Sequence, residues 1–343
     1  MADGFGVVIS ASHNPPEYNG IKFVDSEGFK LSDASEEEIE ALLDREERSD
    51  RIWAEFEASD VADRYVAFVS DRFGAPLEGL RVAVDCANGA MYEVAPAAFE
   101  RLGAQVTAIG IEPNGTNINV GCGATDLRLL RETVARGDFD LGVAFDGDGD
   151  RMLAVDASGN ELDGDQIIAI LALHLGVDFV AVTQMTNLGF HRLMAERNVR
   201  VVTTDVGDRY VLEALRREGG VLGGEQSGHV VYLNGHTTGD GLVAAILLCR
   251  AVVEQGKTLA ELAAVMSKLP QAKADVAVRS KEIPTDLQAE LDELAEGLGE
   301  TARILVRASG TEPVIRVFAE AETPAKAEKL CGTIRSLVLR ELG

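Results

Sequence analysis

The sequence predicts an α/β protein: tandem three-layer α/β units with mixed, largely parallel sheets, followed by a smaller α+β domain of order β-α-β-β-α. Three observations predict it. Apolar, β-branched runs such as "RVAVDC" (81–86), "LGVAF" (141–145) and "DFVAVT" (178–183) alternate with amphipathic stretches of helical period almost throughout. The 343 residues are too many for one ordinary hydrophobic core, so two to four domains are expected. After "TLAELAAVMSKL" the texture changes to strand "ADVAVRS", helix "TDLQAELDELAEGLG", strands "ARILVRAS" and "PVIRVFAEA", and helix "PAKAEKLCGTIRSLVLREL", a pattern with an antiparallel hairpin at its centre.

The elements follow in order. Gly6 to Ile9 reads as a strand that stops at Ser10, and a second apolar run spans Ile21 to Val24. "SDASEEEIEALLDREER" reads as a helix with Ser35 and Glu38 in a capping-box pattern and Ile39, Leu42 and Leu43 on its apolar face. "VADRYVAFVSDRFG" is a helix closed by Gly74. Strand 81–86, helix "ANGAMYEVAPAAFERLG" and strand "QVTAIG" come next, then an Asn- and Gly-rich loop (113–125) and helix "DLRLLRETVARG". Strands 141–145 and 152–156 flank "DGDGDR". A helix from Asp163 to Leu175, strand "DFVAVT", helix "FHRLMAERN", strand "VRVVTTDV" and helix "DRYVLEALRREG" lead to "GGVLGGEQSGHVVYL" and a helix over 240–255 ended by Gly256. Breaks near 72–78, 158–166 and 269–273 divide the chain into segments 1–72, 73–160, 161–270 and 271–343. Three stretches, "GVVISASHNPPEYNGIKFV", "GVAFDGDGDRMLAVD" and "GVLGGEQSGHVVYL", each run apolar strand, polar loop, apolar strand. This loose echo suggests three related units that point one loop each at a shared cleft.

Composition narrows the function classes. Hydrophobic content of 46% and charged content of 26% fit a globular protein. The longest apolar runs, "IIAILAL" and "GLVAAILLC", are far too short to cross a bilayer, so no membrane association is expected, and no basic-then-apolar leader suggests secretion. The four cysteines lie far apart without a CxxC pair, which fits reduced thiols in the cytoplasm. A net charge of −25 argues against nucleic acid, whose phosphates would be repelled. An anionic ligand could bind only where basic groups or backbone amides gather locally.

Four loops carry chemistry. In "FDGDGDR", Asp146, Asp148 and Asp150 alternate with glycines, and this spacing can turn three hard carboxylates toward one point, which suits Mg2+. An EF-hand is excluded, since Arg151 stands where its sixth-position Gly belongs and Ala157 where its twelfth-position Glu belongs. The alternative is a solvated Asp-Gly turn. In "RASGTEPVIRV", Arg307 and Arg316 bracket a tip of Ser309, Gly310 and Thr311, a set able to cradle phosphate; a hairpin turn with two exposed arginines is the alternative. In "GGEQSGHVV", Glu225 and Ser227 could bind sugar hydroxyls or an amino group, or form an ordinary exposed loop, while His229 reads as a supporting group rather than a metal ligand. In "SASHNP", Ser12 could be a nucleophile with His13 or Lys22 handling the proton. A hydrolase triad lacks support because there is no GxSxG elbow. Beside a Mg2+ loop, a phosphate loop and Arg151, a serine suits the role of phosphoryl carrier.

Together, "SASHNP" with "NGIK", "DGDGDR", "GEQSGH" and "RASGTEP" resemble, in order, the four signatures of the α-D-phosphohexomutase family, and the resemblance runs over essentially the whole chain. Within that family, "ISASHNP", "GIKF" with "GFKLSD", "VDCANGA", "NINVGCGATD", "VGDRYV", "GGEQSGH" and "TTGDGL" are most similar to the bacterial members that act on glucosamine phosphate. Gln226 stands where the members acting on glucose or mannose phosphate typically carry Met.

The resemblance implies an isomerase that interconverts glucosamine 6-phosphate and glucosamine 1-phosphate, supplying amino-sugar and peptidoglycan precursors. It implies that Ser12 is the phosphoserine, whose phosphate joins Asp146, Asp148 and Asp150 around Mg2+. Arg151 contacts that phosphate, and Lys22 is general acid or base with His13 nearby. Glu225 and Ser227 read the sugar, while Arg307, Ser309, Gly310, Thr311 and Arg316 hold the non-reacting phosphate. Glucosamine 1,6-bisphosphate is the implied intermediate and activator, and a homodimer is compatible with the family. One departure bears on this. The family begins with a further segment carrying a "GTDGIRG"-like strand, so residues 1–72 are expected to be a remnant of the first domain and the serine loop to be less well supported. The alternatives are therefore activity on glucose or mannose phosphate, or an inactive fragment that binds Mg2+ and sugar phosphate.

Overall fold

Two helices of this chain are apolar on nearly every side, and a helix of that kind must be buried all round. They are α5 (Gly164–Leu175) and α8 (Gly241–Gln255), and in the computed structural model both lie between two sheets, packed against each other and against strands on either side. The structure describes residues 5–43, 60–299, 301–309 and 312–343. The chain divides into two units, one of Met1–Thr186 with Met194–Val265 and one of Asn187–Leu193 with Met266–Gly343.

The first unit opens with an antiparallel ribbon of β1 (Gly6–Ser10) and β2 (Gly20–Val24), followed by α1 (Asp33–Leu43). Among the described residues, segment 5–43 thus contributes two strands and one helix rather than three layers, and Val7, Ile9 and Ile21 of the ribbon are exposed. Next come α2 (Val61–Phe73), β3 (Arg81–Asp85), α3 (Met91–Arg101), β4 (Gln105–Ile109), α4 (Arg128–Arg136), β5 (Leu141–Phe145), β6 (Met152–Asp156) and β7 (Glu161–Leu162). These strands form one sheet in the order β4-β3-β5-β6-β7, parallel from β4 to β5 and antiparallel from β5 to β7. Helix α4 packs Leu130 and Val134 on Ala83, Ala144 and Val155 of one face. The second sheet has the order β11-β10-β8-β9, from β8 (Phe179–Thr183), β9 (Arg200–Thr204), β10 (Leu222–Gly224) and β11 (Val230–Tyr232). Helix α7 (Asp208–Glu218) covers one face with Val211, Leu212 and Leu215. Helices α5 and α8 fill the space between the two sheets, and α9 (Leu259–Ala263) packs on α5. Each fully buried aliphatic or aromatic side chain contributes about 1.5–3 kcal/mol to such a core.

The second unit is an antiparallel sheet of order β12-β14-β13, made by β12 (Gln271–Ala277), β13 (Ala302–Ala308) and β14 (Val314–Ala321). Helices α10 (Thr285–Leu298) and α11 (Pro324–Leu342) cover one face over Val276, Ile315, Val317 and Ala319. The residues that open α6 (Leu188–Glu196) belong to this unit, where Leu188 N donates to the buried Glu320 carboxylate.

Two local expectations need correction. The cap of α1 is Ser32, whose Oγ accepts from Ser35 N at 3.3 Å, so Ser35 lies inside the first turn and donates its N–H to the cap rather than being the cap. Gly74 closes α2 in extended backbone, not in the left-handed conformation. It must be glycine because Leu102 and the Ser70 carbonyl crowd the place of a side chain.

Candidate active site

The antiparallel pairing of β5 with β6 sets Phe145 opposite Met152 and forces residues 146–151 into a tight connection. Asp146 leaves β5 fully buried, and its Oδ1 accepts from Arg151 N at 3.1 Å. Gly149, at φ +75°, takes the left-handed step of the turn. Ligand atoms of Asp146, Asp148 and Asp150 then lie within 4.8 Å of one another. Asp146 Oδ2, Asp148 Oδ1 and Asp150 Oδ1 are buried and receive no hydrogen bond among the described residues. Orphaned hard oxygens at this spacing fit a divalent cation, since buried polar atoms otherwise find partners.

Lys22 Nζ reaches this cluster from β2, 3.0 Å from Asp148 Oδ2 and 3.3 Å from Asp150 Oδ2. Partial burial works against its charge, but Asp150 and Asp148 outweigh it and hold the ammonium above its ordinary value. Burial, then the neighbouring Asp150 and Asp148 carboxylates, pushes the Asp146 carboxyl up to about 7. Asp150 moves the other way: against the cost of burial, His229, Lys22 and Arg151 hold it low. Arg151 lies alongside, its Nε 3.9 Å from Asp146 Oδ2 and 4.0 Å from Asp150 Oδ1.

The serine loop caps the same place. Ser12 sits at φ +50°, in left-handed backbone rarely taken by serine. Its carbonyl accepts from Gly147 N of the carboxylate loop at 3.1 Å and from Asn119 Nδ2 at 2.7 Å, and its N–H donates to Ser10 Oγ at 2.7 Å. Ser12 Oγ lies 3.4 Å from His13 Nδ1. Desolvation and Arg151 hold the His13 imidazole below its usual value, against the pull of Asp150 and Asp148. Ser12, His13, Lys22, Asp150, Arg151 and Glu225 line one cavity of about 420 Å3.

Glu225 and Ser227 follow β10, and helix α5 props their loop from behind: Gly164 N donates to Gln226 O at 3.0 Å. A Cβ on Gly164 would overlap that loop's backbone, lying only 2.8 Å from Gly228 N. Glu225 Oε1 accepts from Gly207 N at 3.0 Å, which fixes the carboxylate at the cavity, while Ser227 is exposed. Gln226 donates from Nε2 to Asp165 Oδ2 of α5 at 3.1 Å. Helix α8 does for the carboxylate loop what α5 does here, with Gly241 N donating to Gly149 O at 2.9 Å.

Sequence reasoning missed four contributors. Asn119, Gly207, Asp208 and Lys30 all touch this site, and the stretches "NINVGCGATD", "VGDRYV" and "GFKLSD" marked them only as family-like without a role. Lys30 pairs with Asp208, and the fully enclosed His229 sits between Asp150 and Asp208, 3.6 Å and 3.7 Å away. Burial lowers the His229 value, but Asp150 and Asp208 reverse this and raise it.

The expected phosphate loop belongs to the second unit. Strand pairing sets Arg307 directly opposite Arg316, so both side chains leave one face of the hairpin. Arg316 Nη2 donates to Glu312 Oε2 at 3.0 Å, an internal counter-ion that sequence reasoning did not consider. Ser309 is buried, and its hydroxyl accepts from Glu312 N at 3.2 Å to close the turn. Gly310 and Thr311 lie outside the described residues.

Four family descriptions match the chain: phosphoglucomutase/phosphomannomutase alpha/beta/alpha domain I over residues 2–50, domain II over 63–159, domain III over 163–269, and the C-terminal domain over 248–337. Among curated relatives, phosphoglucosamine mutase of Pelotomaculum thermopropionicum is 48% identical over 97% of this chain and 78% of its own length. That of Hydrogenovibrio crunogenus is 46% identical over 98% and 78%. Among solved structures, a phosphoglucomutase/phosphomannomutase family protein from Burkholderia thailandensis superposes with a TM-score of 0.81 at 23% identity, covering 98% of this chain and 76% of that one. Aspergillus fumigatus N-acetylphosphoglucosamine mutase, solved with GlcNAc-6P and magnesium, gives 0.76 at 20% identity, covering 97% and 88%. At these identities the two structures speak for the fold.

Proposed function

The chain belongs to the phosphoglucomutase/phosphomannomutase family, and from that premise we propose that it is a phosphoglucosamine mutase, an isomerase that interconverts glucosamine 6-phosphate and glucosamine 1-phosphate. The observation that carries the proposal is the convergence of Ser12, Lys22, Arg151 and Asp150, the last a member of the Asp146–Asp148–Asp150 cluster, on one cavity with Glu225 on its wall. The relatives' shared name supports the amino sugar as substrate.

Ser12 carries the phosphoryl group. Asp146, Asp148 and Asp150 would hold Mg2+, which when bound would supply Lewis-acid polarisation and offset the charge of the transferring phosphoryl group. Arg151 binds its oxygens from the side. Lys22, held protonated by Asp148 and Asp150, gives its proton to the Ser12 oxygen as the phosphoryl group leaves, and the neutral amine then takes the proton of the attacking sugar hydroxyl, with His13 at the rim. Glu225, fixed by Gly207 N, and Ser227 bind the sugar's polar groups. Arg307, Ser309, Gly310, Thr311 and Arg316 hold the phosphate that is not reacting, Arg316 exchanging Glu312 for it. Transfer from Ser12 to the sugar gives glucosamine 1,6-bisphosphate, and return of the other phosphate to Ser12 gives the isomer. The segments 1–72, 73–160, 161–270 and 271–343 are read as the four domains of this enzyme, at work in the cytoplasm. No helix among the described residues is long and apolar enough to cross a membrane.

The test is glucosamine 1-phosphate formation from glucosamine 6-phosphate, with Mg2+ and a trace of the bisphosphate, for the wild-type chain and Ser12→Ala. Turnover by the wild type that vanishes in the variant is expected. Equal turnover in both would sink the phosphoserine, and faster turnover of glucose or mannose phosphate would move the substrate.

A further inference from the structure

Ser12 needs an outside agent to stay where it is. Its φ of +50° is a conformation in which a Cβ crowds the backbone, so the chain would relax unless neighbours hold it. The agents are identifiable. Asn119 Nδ2 donates to two carbonyls of the serine loop, Ser12 O at 2.7 Å and Asn14 O at 3.0 Å. Gly147 N donates to Ser12 O as well, at 3.1 Å. Asn119 is itself tied down, its N–H bonded to Ala87 O at 2.9 Å, and it stands at φ +61°, where asparagine and glycine are tolerated and most residues are not. The approach leaves no slack, since a Cβ on Gly147 would lie 2.5 Å from Ser12 O. The loop of residue 119 therefore grips the serine loop and presses it onto the carboxylate loop.

We infer that Asn119 is the positioning residue of Ser12: its amide clamps the carbonyls of Ser12 and Asn14 and holds the Ser12 hydroxyl over the carboxylate cluster. The inference rests on the mutase reading for its catalytic consequence, but the clamp itself is measurable without turnover. Asn119 does not line the cavity, so its loss misplaces the nucleophile while leaving the sugar's contacts in place.

Two variants separate this from a general loss of fold. Asn119→Gly removes the amide while keeping left-handed backbone easy. Asn119→Asp keeps size and shape but sets an acceptor against two carbonyls. Each is compared with wild type by three measurements: steady-state kinetics on glucosamine 6-phosphate, Mn2+ titration, and hydrogen exchange of peptides covering 8–16. In both variants kcat is expected to fall about 100-fold with KM for the sugar phosphate within about twofold, the effect of a nucleophile about an ångström out of place. Exchange in 8–16 rises, while Mn2+ affinity and the thermal midpoint stay near wild type. A kcat within about twofold of wild type, or unchanged exchange in 8–16, overturns the inference. So does a joint loss of Mn2+ affinity and thermal midpoint, which would make Asn119 a general structural residue. If the wild type itself does not turn over, the mutase reading fails, and exchange in 8–16 still decides whether Asn119 is the clamp.

Discussion

Asp146 shows how one residue carries a conflict between folding and function. Its carboxyl is driven up from 3.8 to about 7, first by burial and then by Asp150 and Asp148. A folded-state value above the unfolded one means that Asp146 supports the fold below about pH 4 and withdraws that support as pH rises through about 7. A bound divalent cation offsets the burial and repulsion that cause the shift. Millimolar Mg2+ should therefore raise the thermal midpoint more at about pH 8 than at about pH 6. Differential scanning fluorimetry at the two pH values checks this, and an equal gain at both would overturn the coupling of cation binding to an Asp146 carboxyl that titrates between them. The sequence made the triad legible, because alternation of Asp and Gly is a local property. It did not make the place of Gln226 legible: between Glu225 and Ser227 it reads only as a mark of the amino-sugar branch, and the structure bonds it to Asp165, a helix residue 61 positions away.

At the scale of elements, the site is held by helix N-termini that reach it because their helices are buried between sheets. Gly241 lets the start of α8 touch the carboxylate loop, and a Cβ there would lie 2.7 Å from both Gly149 O and Arg151 O. Gly241→Ala is expected to cost about 1–3 kcal/mol and to weaken Mn2+ binding as the loop shifts, read by denaturant melts and by titration. Unchanged Mn2+ affinity would show that the loop absorbs the methyl elsewhere. The second unit hangs on Glu320, fully buried and bonded to Arg303 Nη2 at 2.9 Å, Leu188 N at 3.0 Å and Gln271 Nε2 at 3.0 Å. Glu320→Ala strands these donors and should destabilise this unit by about 3 kcal/mol, measurable as a lowered urea midpoint. The helix periods of α7 and α11 were plain in the sequence. The cap of α1 was not, since Ser32 and Ser35 both satisfy a capping pattern and only the backbone path picks one.

At the scale of the whole molecule, every carboxylate proposed to hold the cation lies in the first unit. Hydrogen exchange with and without Mg2+ should accordingly protect residues 141–156 and leave β12 to β14 of the second unit unchanged. Equal protection of both would contradict the assignment of cation binding to the Asp146–Asp150 loop. A chain of net charge −25 also has to gather its basic groups to receive a phosphate, and it does so with Lys22, Lys30 and Arg151 around one cavity. The sequence by itself determined the α/β class, the order of the elements, the carboxylate triad and the hairpin whose loop Arg307 and Arg316 bracket. Each of these depends on spacing within a few residues, which the chain's period displays directly. Only the tertiary structure decided that α5 and α8 lie between two sheets, that Asn119 grips Ser12 from 107 positions away, and that Lys22 meets Asp148 and Asp150. Such contacts leave no period in the sequence, because close packing joins surfaces by shape and hydrogen-bond need rather than by distance along the chain.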